Sequence, residues 1–340
     1  MTNADRLALL LSLLAVLAAS LVGSGVFENM AHLEDEFAYV WQAQAAARGD
    51  LKVPSPEYPS TFIVPFVVDY QGQRFGKYPP GWPVLLSFGV RLGARGWVNP
   101  LLAGLALWMV YRLGTRLGNA LLGLLAAGLM LSSPFFLINS STLLSHPWSL
   151  VLSLAFIHSW LEGMEKHGDA GSGLYWLSAI SGGLALGLLG LTRPMTMVGV
   201  ALPFMFHGLY LLYQGGSRRR KRVLLMGSIA VLLAAVHFLW QYALTGDFFR
   251  NPYTLWWPYD KVGFGPGHGV MEGGHNLNLA WWNTKHSLRT GLSDLFGWAK
   301  VSWLFLPFGL WALRKNTPAL LVGCIFFSLV LVYGAYWVGA

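Results

Sequence analysis

Long apolar segments joined by short polar connections dominate the chain. The first covers residues 7–27, close to the ~20 residues that a membrane-spanning helix needs, and no small-residue cleavage site follows it. We therefore interpret it as an uncleaved first helix. The pattern predicts an all-α polytopic membrane protein with about nine crossings, some tilted because their segments are short. The other apolar segments are 98–113, 120–138, 147–161, 174–191, 195–212, 223–244, 301–313 and 319–338.

The placement of basic residues predicts the orientation. If segment 81–96 lies re-entrant or on the membrane surface, every short basic connection falls on the cytoplasmic side, as the positive-inside rule requires. The amino terminus is then cytoplasmic, and the loops 28–97 and 245–300 of a single integral domain, 1–340, are outside. The net charge of +8 then needs no nucleic-acid partner. The cytoplasmic basic residues are Arg6, Arg112, Arg116, Lys166, the run 218–222, Arg314 and Lys315.

The first outer loop opens on an acidic cluster, residues 34–36, although the chain has only 15 acidic residues. Helical spacing predicts a surface helix over Phe37–Arg48, with Gly49 at its stop position. Asp35 is a candidate general base or metal ligand. The alternative is that the acidic residues only stabilise the first helical turn.

Two basic residues are candidate phosphate ligands at the outer surface. Lys77 precedes Pro79-Pro80-Gly81, which predicts an extended segment and a turn at the membrane surface. Arg193 lies between two apolar segments, just before a proline, and a guanidinium suits bidentate phosphate binding. For both side chains the alternative is snorkelling to lipid headgroups.

The long outer loop carries aromatic and polar candidates for sugar binding. Trp257, Tyr259 and Asp260 follow one another closely, and His268 and His275 come after them. Aromatic faces stack on sugars, but the same run would also serve as an interfacial belt. A metal held by the two histidines is disfavoured, because the glycine-rich stretch between them has no helical register.

These motifs together resemble the GT-C glycosyltransferases. The nearest branch is the protein O-mannosyltransferase and aminoarabinose transferase group, with its uncharacterised bacterial members. Each motif is weak alone, but their order and membrane side are moderately specific. The resemblance is carried by Asp35-Glu36 with Tyr39, Gly49-Asp50-Leu51, Lys77-Tyr78-Pro79-Pro80, residues 111–118, 131–134 and 145–147, and then 244–247, 263–265 and 295–298.

The resemblance implies a hexosyl or pentosyl transferase that uses a polyprenyl-phosphate sugar on the outer face of the bacterial cytoplasmic membrane. It implies Asp35, with Glu36 beside it, as the base, and Lys77 as a lipid-phosphate ligand. The chain departs from many relatives at the second outer turn, where His146 stands in place of an acidic residue. A divalent metal, Mg²⁺ or Mn²⁺, is therefore left open, with Asp35 or Glu36 as its candidate ligand.

Chemistry from the residues agrees with that expectation. Glycosyl transfer needs a base for the acceptor hydroxyl, which Asp35 supplies, and positive charge for the departing phosphate, from Lys77, Arg193 and His146. Tyr39 and Tyr78 are expected to contact substrate. The partners expected are the lipid-linked sugar, an acceptor that is a lipid, glycan or protein, and membrane lipids.

The sequence is also compatible with a different class of function. A lipid or solute transporter, or a subunit of a membrane complex, is the alternative. A transporter is expected to have broken helices and ionisable residues at the membrane midplane. Most charges here lie at the ends of the apolar segments, which favours an interfacial enzyme site. Relatives continue with further outer sequence and helices, so a truncated or minimal version is also an expectation.

Overall fold

A computed structural model describes residues 1–164 and 173–338 of the chain. Lys166, one of the predicted cytoplasmic basic residues, lies outside those ranges. Helices form most of the described structure, which confirms the predicted mainly helical membrane protein. Their bounds are α1 Asn3–Gly25, α2 Glu34–Arg48, α3 Gly81–Arg91, α4 Arg95–Leu117, α5 Ala120–Leu131, α6 Pro134–Ser141, α7 His146–Glu162, α8 Gly173–Thr192, α9 Pro194–Gln214, α10 Ser217–Thr245, α11 Tyr253–Trp256, α12 Leu277–Asp294, α13 Phe305–Ala312 and α14 Thr317–Gly334.

Fewer helices qualify as membrane spans than the sequence pattern predicts. Within the described ranges, five helices (α1, α8, α9, α10 and α14) are long and apolar enough to cross a membrane. The number rises to six if α5 and α6, which meet at a bend of 64°, count as one span. The predicted nine crossings are thus not confirmed. Segment 301–313 contains only an eight-residue helix, α13.

Within the described residues, the loops predicted to be cytoplasmic lie together at one end of the helices, where hydrogen bonds join residues next to them. The hydroxyl of Tyr111 donates to Asp5 at 2.8 Å, and Arg116 donates to Glu162 at the same distance. Asn316, at the start of α14, donates to the carbonyl of Leu117 at 3.0 Å. The opposite end carries α2, α3 and the candidate site. The side of the membrane on which each end lies stays a prediction.

The first outer loop contains a small antiparallel sheet that the sequence pattern did not predict. Its strands are β1 Val53–Pro54, β2 Val67–Tyr70 and β3 Gln73–Gly76, in the order β1-β3-β2. Gln71 and Gly72 form the hairpin turn, with φ of 50° and 72°, as a two-residue turn of this hand requires. Arg74 pairs with Asp69 at 2.6 Å and also donates to the carbonyl of Phe62 at 2.9 Å.

Helix α3 is held against the outer end of α8 by a close backbone approach. At Gly81 an added Cβ would lie 2.4 Å from Thr192 Oγ1 and 2.8 Å from the Leu191 carbonyl oxygen, so no side chain fits there. With 11 residues α3 is too short to cross a bilayer, in line with its predicted surface position. The approach brings the Lys77–Pro80 segment next to Arg193, which follows α8.

Candidate functional site

The amino terminus of α2 is fixed by Glu36. Its carboxylate is fully buried, and one oxygen accepts hydrogen bonds from the backbone N–H of His32 at 2.8 Å and of Leu33 at 3.0 Å. The other oxygen accepts from the backbone N–H of Leu143 in the second outer turn. Both oxygens are therefore engaged, and Glu36 positions α2 rather than facing a substrate.

Asp35, one residue earlier, presents its carboxylate to an aromatic pair. Its Oδ1 accepts from the hydroxyl of Tyr78 at 2.5 Å, and the rings of Tyr78 and Tyr39 lie 4.6 Å apart. Burial and the nearby Asp35 raise the pKa of Tyr78, so the phenol stays protonated and keeps donating. No other hydrogen bond reaches Asp35 from the described residues, so its Oδ2 has no partner among them.

Tyr39 joins the carboxylate to the start of α7. Its hydroxyl lies 3.3 Å from the hydroxyl of Ser145, which precedes His146. Burial raises the pKa of Tyr39 to about 12, with Arg193 acting in the opposite direction and Asp35 adding to the rise. Tyr39 thus lies between Tyr78, which donates to Asp35, and Ser145, which precedes the Arg193 partner His146.

Arg193 holds the connection between α8 and α9. It donates to His146 Nε2 at 2.8 Å and to the hydroxyl of Tyr333 at 3.3 Å. Arginine only donates, so Nε2 must be the acceptor and the imidazole is neutral. No carboxylate of the described residues pairs with Arg193. The guanidinium is thus the positively charged group among Arg193, His146 and Tyr333, and His146 adds no charge.

Lys77 is not the surface cation that the sequence predicted. Its side chain is only 4% exposed, and Nζ lies 3.3 Å from Asp260 Oδ2. The ammonium also sits 3.8 Å from the ring centre of Phe66 and 4.7 Å from that of Trp257. Burial lowers the pKa of Lys77, and Asp260 opposes that effect. The loop folds back over it because its own N–H donates to the Phe66 carbonyl at 3.0 Å.

Asp260 is a junction between the long outer loop and the end of the described chain. Besides Lys77 it accepts from the hydroxyl of Tyr336, and from the indole N–H of Trp337 at 3.2 Å. Tyr259 stacks on Trp257 with ring centres 6.0 Å apart. Sequence reasoning missed Tyr336 and Trp337, although an aromatic pair near the end of the last apolar segment was a usable signal.

The two histidines of the long loop serve its own packing. His275 is 1% exposed, and its Nε2 lies 2.9 Å from the carbonyl oxygen of Gly334. Its ring stacks on Phe264 at 5.1 Å. His268 Nδ1 lies 3.3 Å from the carbonyl oxygen of Gly265. Neither joins the cluster around Asp35 and Arg193.

The residues present do not fit a metal centre. No group of three or more His, Cys, Asp or Glu side chains comes together within 1–164 and 173–338. Of the two carboxylates considered for a metal, Glu36 is committed to three backbone N–H groups, and Asp35 accepts from Tyr78 and belongs to no such group of ligands. No step of the reaction proposed for this chain therefore involves a divalent ion.

Comparison with known proteins gives the fold its context. No protein-family model matches the chain, and no curated protein sequence matches it. A crystal structure of an Archaeoglobus fulgidus oligosaccharyltransferase, in complex with Zn and sulfate, is similar with a TM-score of 0.52 at 12% identity. The two chains share a fold. The match covers 95% of this chain and 48% of that one, so the chain spans about half the length of this oligosaccharyltransferase.

A second archaeal structure is also similar. It is the oligosaccharyltransferase AglB of Archaeoglobus fulgidus with an inhibitory peptide and a dolichol-phosphate, at a TM-score of 0.45 and 14% identity. That match covers 94% of this chain and 36% of the other. The first comparison supports the predicted helical membrane architecture at the level of the fold.

Proposed function

We propose that this GT-C chain is a membrane glycosyltransferase that moves a sugar from a polyprenyl-phosphate donor to an acceptor at the outer membrane face. One observation carries the proposal: a line of contacts joins the half-buried Asp35 carboxylate, through Tyr78 and Tyr39, to the start of α7, where His146 accepts from the Arg193 guanidinium. A base and a cation at one site are what transfer from a sugar phosphate needs. The GT-C fold supports the reaction class, and the bacterial cytoplasmic membrane is the proposed location.

The reaction assigns a separate role to each side chain. Asp35 takes the proton of the acceptor hydroxyl. At the same time the oxygen of that hydroxyl forms a bond to the anomeric carbon of the sugar. The bond between that carbon and the phosphate oxygen breaks, and the electron pair leaves with the lipid phosphate. Arg193 stabilises the developing phosphate charge. Tyr78, through its 2.5 Å hydrogen bond, orients Asp35.

The aromatic wall behind these groups is the proposed sugar site. Tyr39 and Tyr78 line it from the first outer loop, and Trp257, Tyr259 and Asp260 from the long loop. Lys77 belongs to this wall and contacts phosphate only if it parts from Asp260. We leave His268 and His275 out of the site, because their ring nitrogens face backbone carbonyls at 3.3 and 2.9 Å.

The bent pair α5–α6, the broken span found among the described residues, gives little support to a transporter function. The bent pair α5–α6 carries no ionisable residue along its length, which the structure describes completely. Broken helices of transporters expose polar backbone and charge to a midplane site. The charged residues converge instead at the outer end, around Asp35, Lys77 and Arg193.

The proposal is tested by transfer in detergent with two donors, undecaprenyl-phosphate mannose and undecaprenyl-phosphate aminoarabinose, and a membrane extract as the acceptor source. Release of undecaprenyl phosphate is followed by mass spectrometry. Asp35→Asn should lower the rate at least ~100-fold, because it removes the base. Asp50→Asn, an exposed carboxylate of the same loop, is the control and should keep the wild-type rate. A fully active Asp35→Asn variant would disprove the assigned mechanism.

A further inference from the structure

Helix α12 exposes a face on which aromatic and basic side chains lie together. Trp281 and Trp282 are 63% and 57% exposed, whereas the neighbouring Ala280 is buried against the protein. Lys285 and Arg289 follow at intervals of one helical turn on the same side. The ammonium of Lys285 lies 5.0 Å from the ring centre of Trp282. Trp281, Trp282, Lys285 and Arg289 therefore form one surface, which we call the α12 face.

Contacts with α14 fix the depth of α12 in the membrane. A Cβ added at Gly334, the last residue of α14, would lie 4.0 Å from Thr284 Oγ1. The indole N–H of Trp303 donates to the carbonyl of Leu288 at 2.9 Å, and its ring centre lies 5.2 Å from that of Phe326. Phe326 is about 12 Å from Gly334 along the axis of α14. Helix α12 thus runs antiparallel beside α14, and Thr284 is level with the end of this candidate membrane span.

The direction of the side chains brings the two cations to the bilayer surface. Lys285 lies next to the end of α14, and Arg289 is about 6 Å deeper along the helix axis. The Cα–Cβ bonds of an α-helix tilt towards its amino terminus, and that terminus of α12 is its shallow end. Both long side chains therefore reach back to the level of lipid phosphates. The two tryptophans lie about one turn nearer the surface, in the interfacial region that indole rings prefer.

The positive charge of the α12 face is not compensated within the described structure. No carboxylate of residues 1–164 and 173–338 forms an ion pair with Lys285 or Arg289. Asp294, the acidic residue of α12, is the last residue of the helix. These two cations lie at the end of the helices that carries the candidate site, away from the basic connections predicted to be cytoplasmic. Their charge therefore favours an anionic partner from outside the chain.

We propose that the α12 face binds the headgroup of an anionic phospholipid from the adjoining leaflet, with the lipid phosphate between Lys285 and Arg289. The ammonium supplies a point charge, and the guanidinium supplies a bidentate donor for phosphate oxygens. A zwitterionic headgroup would bring its own ammonium close to these two cations, so a headgroup with net negative charge, such as phosphatidylglycerol, binds better. This site shares no residue with the cluster around Asp35 and Arg193, and it does not depend on the proposed function.

A fluorophore beside the α12 face tests which lipid lies there. Thr290 is exposed next to Arg289, and Thr290→Cys on a Cys324→Ala background provides a single cysteine for labelling the purified full chain with bimane. The labelled chain is placed in phosphatidylcholine nanodiscs. Quenching by phosphatidylglycerol is compared with quenching by phosphatidylcholine when both carry the same spin-labelled acyl chain. Phosphatidylglycerol should quench more at equal mole fraction, and salt at about 1 M should remove most of that preference.

Variants that neutralise one charge test whether Lys285 and Arg289 cause the preference. Lys285→Gln and Arg289→Gln should each reduce it about five-fold, which is the effect of one basic residue near an anionic surface, and Arg289→Lys should keep most of it. Lys52→Gln is the control, because it removes the same charge from an exposed side chain that donates to the carbonyl of Ala243 in α10. The preference should not change in that variant.

Three outcomes would refute lipid binding by the α12 face. One is equal quenching by the two lipids in the chain that keeps both cations. Another is a preference that survives both Lys285→Gln and Arg289→Gln. The third is the absence of quenching by either lipid, since a second copy of the chain or another protein then covers α12.

Discussion

Removing the carboxylate of Asp260 should destabilise the outer face strongly, because it leaves the Lys77 ammonium buried without its partner. The two side chains are 4% and 1% exposed, and their charged atoms lie 3.3 Å apart. Asp260→Asn keeps the size of the side chain and removes the charge. The perturbation therefore isolates the ion pair from the packing around it.

The expected loss is about 3 kcal/mol at pH 7, the lower end of what breaking one side of a buried ion pair costs. Two effects limit it. The aromatic rings around Nζ, the nearest centred 3.8 Å away, still attract the cation and supply up to about 2 kcal/mol. Lys77 can also release its proton, since burial already lowers its pKa. Lys77→Met should cost less, because Asp260 keeps the donors on Tyr336 and Trp337.

The pH dependence has a definite sign. Because the pKa of Lys77 is lower in the folded chain than its ordinary value of about 10.4, the unfolded chain binds more protons between those two values. Stability therefore rises with pH in that window. Asp260→Asn removes the main influence that opposes the effect of burial on Lys77. The pKa of Lys77 in the folded variant is therefore lower still, and the rise of stability with pH should begin at lower pH. The variant should recover part of its loss by pH 10.

Unfolding by titration with SDS in mixed micelles, followed by tryptophan fluorescence, measures these free energies. Lys77→Met, Asp260→Asn and the double variant form a cycle whose coupling should be about 1.5–3 kcal/mol. Asp50→Asn is the matched control, since its ion pair with Arg48 is exposed and screened by water and should contribute no more than about 0.5 kcal/mol. If Asp260→Asn unfolds like Asp50→Asn, or the coupling is zero, the buried pair is not the contact described above.

The same titration checks three further predictions. Glu36→Gln should cost about 2 kcal/mol, because an amide cannot accept all three backbone N–H groups; an unchanged midpoint would contradict that role. Gly81→Ala should cost about 1–3 kcal/mol through its clash with α8, while Gly128→Ala, with open space around it, should be neutral or stabilising. The pKa of Asp69 is lowered chiefly by its hydrogen bond with Arg74, so its contribution to stability is present above pH ~3.9 and is lost as the pH falls from there through the folded pKa. Asp69→Asn should therefore flatten the acid decline below pH ~3.9.

Elements with a local signal were predictable from the sequence. Helix α2 was expected over Phe37–Arg48 and extends back to Glu34, and Gly49 ends it with a φ of 92°. The short sheet was missed, because strands of two and four residues leave little alternation to detect. The predicted count of nine spans is not confirmed over the described residues, since apolar composition alone does not fix helix length. Segment 301–313 is as apolar as a span but contains only an eight-residue helix.

The candidate site was predictable only in part, because burial and pairing depend on contacts across the chain. Asp35, Tyr39 and Tyr78 are within one loop, and their grouping follows from α2 packing on the segment before α3. The partner of Lys77 is 183 residues away, and no local pattern reveals it. Glu36 looked like a second catalytic carboxylate because the bond from Leu143, 107 residues away, has no local signal, although the donors His32 and Leu33 are local.

Lys77 and Arg193, the two predicted phosphate ligands, differ in whether a carboxylate neutralises their charge. That difference distinguishes a structural cation from a functional one. Lys77 and Arg193 look equivalent in the sequence, each beside a proline at the outer surface. In the folded chain Lys77 is neutralised by Asp260, whereas the described partners of Arg193 are the uncharged His146, Thr196 and Tyr333. A half-buried cation surrounded by neutral groups is more costly than a paired one unless an anion visits the site. The phosphate ligand we assign is therefore Arg193, with Lys77 fixing the wall behind it.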